Sequence, residues 1–280
     1  VGNSIAGALP HRGDCGIDIA NPGLDVQDMY AKKLKTYVLL GVEPGYDQLN
    51  PSLAQSALKN ADSVIVLSAY ENAVMHEYAD LLLPITPFTE TDGTYVNGEG
   101  RWQSFKAVVS PLEESRPAWK ILRVLGNLLA LDGFDYISSE QVRDELAERY
   151  KDFDKDWDFW SPAVESYQAT KVQWQSIPHL AASHVDSIVR RSAPLSASED
   201  EYCGCASLNQ SSADKLGVND GDSIEISQGD ESFRLPVHIV DVIPDACVLI
   251  PVAIQGTQNR GAPHAPISIA KHELQSAVNG

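Results

Sequence analysis

The sequence predicts an α/β protein, a parallel sheet with helical cover followed by a small C-terminal β-barrel. Three observations carry that expectation. Apolar runs and short helical patterns alternate between Thr36 and Leu83, the rhythm of a parallel sheet with crossover helices. Helical periodicity then dominates from Leu112 to Tyr150. Between Ile188 and Val252 the grammar changes to short strand-like runs broken by turns, as in a small barrel.

Each element has its own reason. Thr36-Tyr37-Val38-Leu39-Leu40-Gly41 is a short β-rich run, expected to be a strand covered on both faces. After a turn at Pro44-Gly45, Asn50 before Pro51 reads as an N-cap with proline at the first helical position, and Leu53, Ala54, Ala57 and Leu58 fall at helical spacing. Asn60 ends that helix and Val64 to Leu67 forms the next strand, giving a βαβ unit with a right-handed crossover. A second short helix is expected from Glu71 to Tyr78, leading to a strand at Leu81-Leu82-Leu83 that Pro84 stops.

Ser115 and Pro117 mark the start of a longer helix on which Ala118, Ile121, Leu122, Leu125, Leu128 and Leu129 form one apolar stripe, expected to be core. Ser138 with Gln141 resembles a capping box opening a helix through Tyr150, with Val142, Leu146 and Tyr150 on one face. Further on, a helix from Ser212 to Leu216 is closed by Gly217. Ser223 to Ser227 alternates, Gln228-Gly229-Asp230 turns, Phe233 to Val240 returns, and Pro244-Asp245 precedes Cys247 to Ile250. The expected domains are an α/β domain over residues 1–150, incomplete at its N-terminus, an acidic and aromatic connector over 151–184, and the barrel over 185–280.

A chain of 280 residues holds one large or two ordinary domains. Lys plus Arg number 21 against 39 Asp plus Glu, a formal charge of −18, which argues against nucleic acid or an anionic membrane surface as partner. The longest apolar runs, Ser63 to Tyr70 and Val248 to Ile254, are far short of the roughly 18–20 residues of a membrane span, so no membrane insertion is expected. Val1-Gly2-Asn3-Ser4 reads as the interior of a longer protein. The cysteines at 15, 203, 205 and 247 include no Cys-x-x-Cys pair, which indicates neither a disulfide framework nor a zinc or iron–sulfur site and fits a reducing compartment.

Familiar catalytic signatures are missing. There is no Gly-x-Ser-x-Gly elbow and no phosphate-binding Gly-x-x-x-x-Gly-Lys, and Gly98-Glu99-Gly100 lacks the later glycine of a dinucleotide loop. His76-Glu77 begins like a zinc helix but ends in Asp80, and His11, His179, His184, His238, His264 and His272 are dispersed; no metal ligand is expected. Asp154, Asp156, Asp158 and Glu165 have calcium-loop spacing, yet Phe159 replaces the turn glycine and Pro162 intrudes, so a solvated acidic loop is the better reading.

The most distinctive stretch is Ala79 to Pro84 followed by Thr89 to Gln103. It is a strand entering a polar, glycine-punctuated loop whose amides, with Arg101, could receive an anion. The alternative is a compact loop in which Glu90, Asn97 and Arg101 bond to backbone, and composition favours it.

This stretch resembles the molybdopterin oxidoreductases, in which a strand ending "AD..LP" runs into "E..GT..N.EGR.Q". The resemblance places the loop near a pterin cofactor, and makes Glu90, Gly93, Thr94, Asn97, Gly100 and Arg101 vestigial pterin-loop candidates. Leu216 to Asp222 is similar to an "LG...GD" segment of that family's C-terminal six-stranded barrel, and Ile188 to Leu195 resembles the barrel's opening.

Within the superfamily, Asn3-Ser4 with Gly7 to Arg12, Lys35 to Gly41 leading into Glu43-Pro44, Gly93 to Arg101, and Pro117 to Arg123 resemble the C-terminal half of the large iron–sulfur subunits of proton-pumping NADH-quinone oxidoreductase, the bacterial respiratory complex I. That likeness implies a scaffold with no catalytic residue and no cofactor of its own, the molybdenum cofactor having been lost and the iron–sulfur clusters lying in a part upstream of Val1. It implies as partners the other peripheral-arm subunits and the parent's own N-terminal domain, at the cytoplasmic face of the inner membrane. Electrons would there pass from NADH through FMN and clusters to quinone. The rival implication is the cofactor-binding half of a true molybdopterin-dependent oxidoreductase such as a formate dehydrogenase. Asn97 and Arg101 would then lie near the pterin nucleotide, and any metal ligand would lie upstream of Val1.

Overall fold

The computed structural model describes residues 1–13, 17, 19–151, 173–198 and 204–272. In chain order its elements are α1 (Gly2–Ile5), α2 (Val26–Ala31), β1 (Thr36–Leu40), α3 (Pro44–Asp47), α4 (Pro51–Lys59), β2 (Ser63–Ser68), β3 (Leu81–Pro84), β4 (Gly93–Val96), β5 (Trp102–Phe105), α5 (Ala118–Leu128), α6 (Ser139–Lys151), β6 (Gln175–His179), α7 (Ala193–Ser196), β7 (Ala206–Leu208), α8 (Gln210–Leu216), β8 (Ser223–Gln228), β9 (Glu231–Ile239), β10 (Cys247–Pro251) and β11 (Ser268–Lys271). Two compact units result, Val1–Gly41 with Ala61–Ser166, and Val42–Asn60 with Tyr167–Gly280. The segment carrying α3 and α4 thus belongs with the C-terminal part of the chain.

In the first unit, β1, β2 and β3 form a three-stranded parallel sheet in that order. Asp80 fixes its register at the entry to β3, because its carboxylate and its amide both bond to the backbone of Val64. The expected two-sided cover is corrected. Tyr37 and Leu39 are buried while Val38 and Leu40 on the same strand are 47% and 44% exposed, and strand side chains alternate between faces. On β1 one face packs, while Val38 and Leu40 on the other are left exposed. The expected helix over Glu71–Tyr78 is also corrected to a single 3-10 turn, Met75–Glu77, begun by the Asn72 side chain accepting from the Met75 amide at 3.0 Å. A segment this short does not recover the cost of nucleating an α-helix.

α5 forms where expected, but its apolar stripe is not core. Only Gly126 is buried on it, and Leu128 and Leu129 are 78% and 62% exposed. Ile121, Leu125 and Leu128 instead line, with Ile65, Leu67 and Leu81, an apolar cavity of about 790 Å³. Gly126 is required, since a Cβ there would lie 2.2 Å from the Phe134 ring. At α6 the cap differs in detail from a capping box. Ser138 Oγ accepts from the Gln141 amide at 3.4 Å, but the Gln141 side chain reaches back one residue further, to the Ile137 amide at 2.8 Å.

The second unit is a six-stranded sheet in the order β11-β8-β9-β7-β10-β6. β7 with β9 and β10 with β6 run parallel, the remaining pairs antiparallel. Its core is Leu208, Ala213, Ile224, Ile226 and Val248, each fully buried, with Trp174 beside them. The sheet curls until its two edges touch at one bridge, Trp174 with Ile267, just before β6 and β11. The expected closed barrel is therefore a curled sheet. Among the described residues that bridge is the one pairing between the two edges.

In the second unit the helix expected over Ser212–Leu216 begins two residues earlier, at Gln210. Asn209 caps α8 by accepting from the Ser212 amide at 2.8 Å, and Gly217 ends it with φ +66°. Gly229, with φ +62°, makes the turn between β8 and β9. Ile188 to Leu195, which resembled a barrel's opening, instead forms a 3-10 turn at Val189–Arg191 and then α7. The calcium-spaced acids Asp154 to Glu165, together with Cys15 and Cys203, lie outside the described residues. Among the described residues no helix is long and apolar enough to cross a membrane.

Candidate functional site

The hairpin of β4 and β5 carries most of the residues singled out in the sequence. Its strands pair from Gly93 opposite Phe105 to Val96 opposite Trp102. Gly93 has no side chain for a packing reason: a Cβ there would sit 2.6 Å from the Phe105 ring. That ring stacks on Tyr95 at 5.1 Å between centroids. On the other face Val96 and Trp102 pack against Ile5 of α1 and Tyr150 of α6. Between hairpin, α1 and α6 a cavity of about 610 Å³ opens, with Ile5, Val96, Trp102, Trp119, Val142 and Leu146 among its walls.

The polar groups of this cavity are Asn3, Asp92, Thr94, Ser139 and Arg143. Several are already engaged. Thr94 Oγ1 is 2.9 Å from Ser104 Oγ, and Arg143 donates to Asp144 at 2.7 Å and to Ser104 at 3.3 Å. Asp92 accepts from the Ala107 amide at 2.6 Å and lies 3.6 Å from Lys106. Lys106 also pairs with Glu140, whose carboxyl is held down to about 2, chiefly by that lysine's hydrogen bond. A largely apolar cavity of this size with a few fixed polar groups suits a flat heterocycle.

The structure distributes the sequence candidates unevenly. Gly93 and Thr94 line the cavity, while Glu90, Asn97, Gly100 and Arg101 are not among its lining residues. Glu90 accepts from the Leu112 amide at 3.0 Å. Asn97 Oδ1 accepts from the amides of Glu99 at 3.0 Å and Arg101 at 2.9 Å, and Gly100 completes the turn with φ +78°. Arg101 is exposed, and its side chain makes no hydrogen bond or ion pair among the described residues. The Leu216 to Asp222 segment is likewise a backbone clamp. Asp222 accepts from the Asn219 amide at 2.9 Å and Asp220 from the Ile239 amide at 2.8 Å. His76 sits 2.5 Å from Glu71, and among the described residues no three His, Cys, Asp or Glu side chains gather as a metal's ligands would.

A second constellation, in the other unit, was not singled out in the sequence. Glu43 is 3% exposed and stands between two arginines. Arg190 donates to it at 2.8 Å and to Asp47 at 2.8 Å, and Arg191 donates at 2.5 Å. The Arg190 guanidinium also lies 5.0 Å from the centre of the Tyr46 ring. Burial pushes the Glu43 carboxyl up, but the hydrogen bonds and charges of Arg191 and Arg190 outweigh it and hold the group below its ordinary value. Every charge in this cluster has a partner, so it binds the α3 turn to the Val189–Arg191 turn and leaves no group free for chemistry. The only signal in the sequence was the adjacent pair Arg190-Arg191.

The architecture, a parallel α/β sheet plus a curled six-stranded sheet, is shared with a solved structure, the acetylene hydratase of Pelobacter acetylenicus. The likeness has a TM-score of 0.61 and 14% identity, and covers 93% of this chain and 45% of the hydratase. Residues 4–128 match the model of the molybdopterin oxidoreductase family. A presumed formate dehydrogenase of Staphylococcus aureus (strain bovine RF122) is 31% identical over 122 residues, and its counterpart in strain MRSA252 is 30% identical over the same length. These stretches are 44% of this chain but 12% of each relative. Most of the cavity wall, from Ile5 through the hairpin to Trp119, falls inside the matched residues.

The family implies a pterin cofactor, and the cavity fits only part of one. Trp102 and Trp119 offer flat apolar walls, and Asn3, Thr94 and Ser139 offer hydrogen-bonding groups. Arg143, the arginine of the cavity, is already held by Asp144, so the walls suit a ring system better than a phosphate.

Proposed function

We propose that this chain is the cofactor-cradling part of a molybdopterin-dependent oxidoreductase of the formate dehydrogenase kind. The observation that carries the reading is the cavity itself, built mainly from the residues that match the family. The names of the relatives support the substrate class. The complex I reading, with its peripheral-arm partners and membrane-bound location, rests on motif resemblance alone, and the relatives favour the oxidoreductase.

In this reading the metal centre supplies two-electron redox chemistry when bound. The residues of this chain do the holding. Trp102 and Trp119 exclude water from the ring faces, while Asn3, Thr94 and Ser139 orient the ring edge. Asn97 and Gly100 set the hairpin turn that aligns β4 with β5. Arg101 stays exposed at the tip of that turn.

The test fills the cavity in the intact parent enzyme. Val142→Trp should cut the pterin released on denaturation at least fivefold and reduce formate-dependent dye reduction in step, with the circular dichroism spectrum unchanged. Unchanged pterin content in a folded variant, or an intact parent that carries no pterin, would overturn the reading.

A further inference from the structure

A buried arginine in the second unit has no counter-ion among the described residues. Arg260 is 6% exposed. Its Nη1 donates to the carbonyls of Leu49 and Gly261, both at 3.2 Å. Its Nε is buried with no partner, and Nη2 makes no hydrogen bond among the described residues. Nε and Nη2 share the edge of the guanidinium that grips an oxyanion side-on through two parallel N–H bonds. The free edge is thus the one built for a bidentate anion.

The surroundings add positive potential. The Arg260 carbonyl accepts from the Ser52 amide at 3.3 Å, which ties the residue to the first turn of α4, and Leu49 precedes the Asn50 cap. The positive end of a helix dipole lies there. The turn's amides are themselves taken, Leu53 by Asn50 Oδ1 at 3.0 Å and Ser52 by Arg260, so they do not compete for a ligand. Glu231 accepts from Ser52 Oγ at 2.8 Å but forms no ion pair with Arg260 among the described residues. Burial with no compensating charge pushes the Arg260 pKa down. A cation buried beside a helix N-terminus is costly unless an anion joins it.

We infer that Arg260, at the N-terminal turn of α4, is the anchor of an oxyanion site that takes a phosphate or a carboxylate. This inference is independent of the proposed function, since it concerns neither the cavity nor the hairpin. Phosphate and carboxylate share the bidentate chemistry and differ in charge and in number of oxygens.

The test uses the full chain and inorganic phosphate. Equilibrium dialysis should find one phosphate per chain, and Arg260→Gln should weaken it at least tenfold. Arg260→Lys, which keeps the charge but loses the fork, should weaken it at least fivefold. Nuclear magnetic resonance of the unsubstituted chain gives a second readout that no folding defect can confuse: the Arg260 Nε–Hε signal should shift on phosphate addition. Acetate displacing phosphate at equal concentration assigns the site to carboxylates; failure of acetate to displace assigns it to phosphate, and either supports the inference. Phosphate that binds both variants as tightly as the parent chain, or a saturating titration that leaves the Arg260 Nε signal unmoved, would overturn it.

Discussion

Asn97 and Glu43 do the same kind of work at opposite depths, each oxygen gathering N–H donors from elsewhere in the chain. Asn97 does so at the surface for two amides of its own turn. Asn97→Ala should cost about 1 kcal/mol, the ordinary worth of such bonds, while Arg101→Ala should stay within about 0.5 kcal/mol; urea unfolding of the two variants measures both. Glu43→Gln removes the charge between two guanidinium groups, and breaking a buried pair by removing one partner costs about 3–5 kcal/mol. The same urea series should show that loss as a lower midpoint at unchanged slope. The local case was legible in the sequence, because a loop asparagine reaches only a few residues. The buried one was not, because the arginines that hold Glu43 lie 147 and 148 residues further along.

Strands were legible at the scale of elements, and their cover was not. β1 and β2 lie where apolar runs put them, but which face is packed depends on what other segments bring to it. Leu39 is 6% and Leu40 is 44% exposed on adjacent positions of β1. Leu39→Ala should therefore cost about 2–5 kcal/mol and Leu40→Ala less than about 1 kcal/mol, a contrast that thermal unfolding reads directly. The apolar stripe of α5 taught the same lesson, since periodicity gives an amphipathic face without saying what meets it. The strands expected at Ser223–Ser227, Phe233–Val240 and Cys247–Ile250 are present as β8, β9 and β10, whereas the short β7 and β11 lacked a pattern long enough to read and β6 fell in the expected connector.

For the whole molecule, the acidic balance sets how stability responds to pH. Among the described residues four carboxylates sit below their ordinary values. Arg191 and Arg190 hold Glu43 down against its burial, and Lys106 holds Glu140. The Asn219 amide with Lys271 holds Asp222, and the Asn209 side chain with Lys215 holds Asp245. A carboxyl whose folded pKa is depressed contributes stability above its unfolded value and loses it as pH falls through the folded one. The chain should therefore hold a level stability above about pH 4.5 and lose it progressively toward pH 2. Glu43→Gln should flatten part of that slope, as urea midpoints across the range would record. A steeper loss above pH 5 than below it would contradict this ordering.

The hairpin that walls the cavity was visible in the sequence as an unusual stretch of polar and glycine residues. The cavity was not, since Ile5 on α1 and Val142 and Leu146 on α6 close it from distant parts of the chain. What the family match adds is a meaning for that space. The most direct measurement is the molybdenum content of the intact parent protein, purified from cells grown with molybdate. Stoichiometric molybdenum with pterin is the predicted result. A protein that carries iron–sulfur clusters but no molybdenum and no pterin would contradict it.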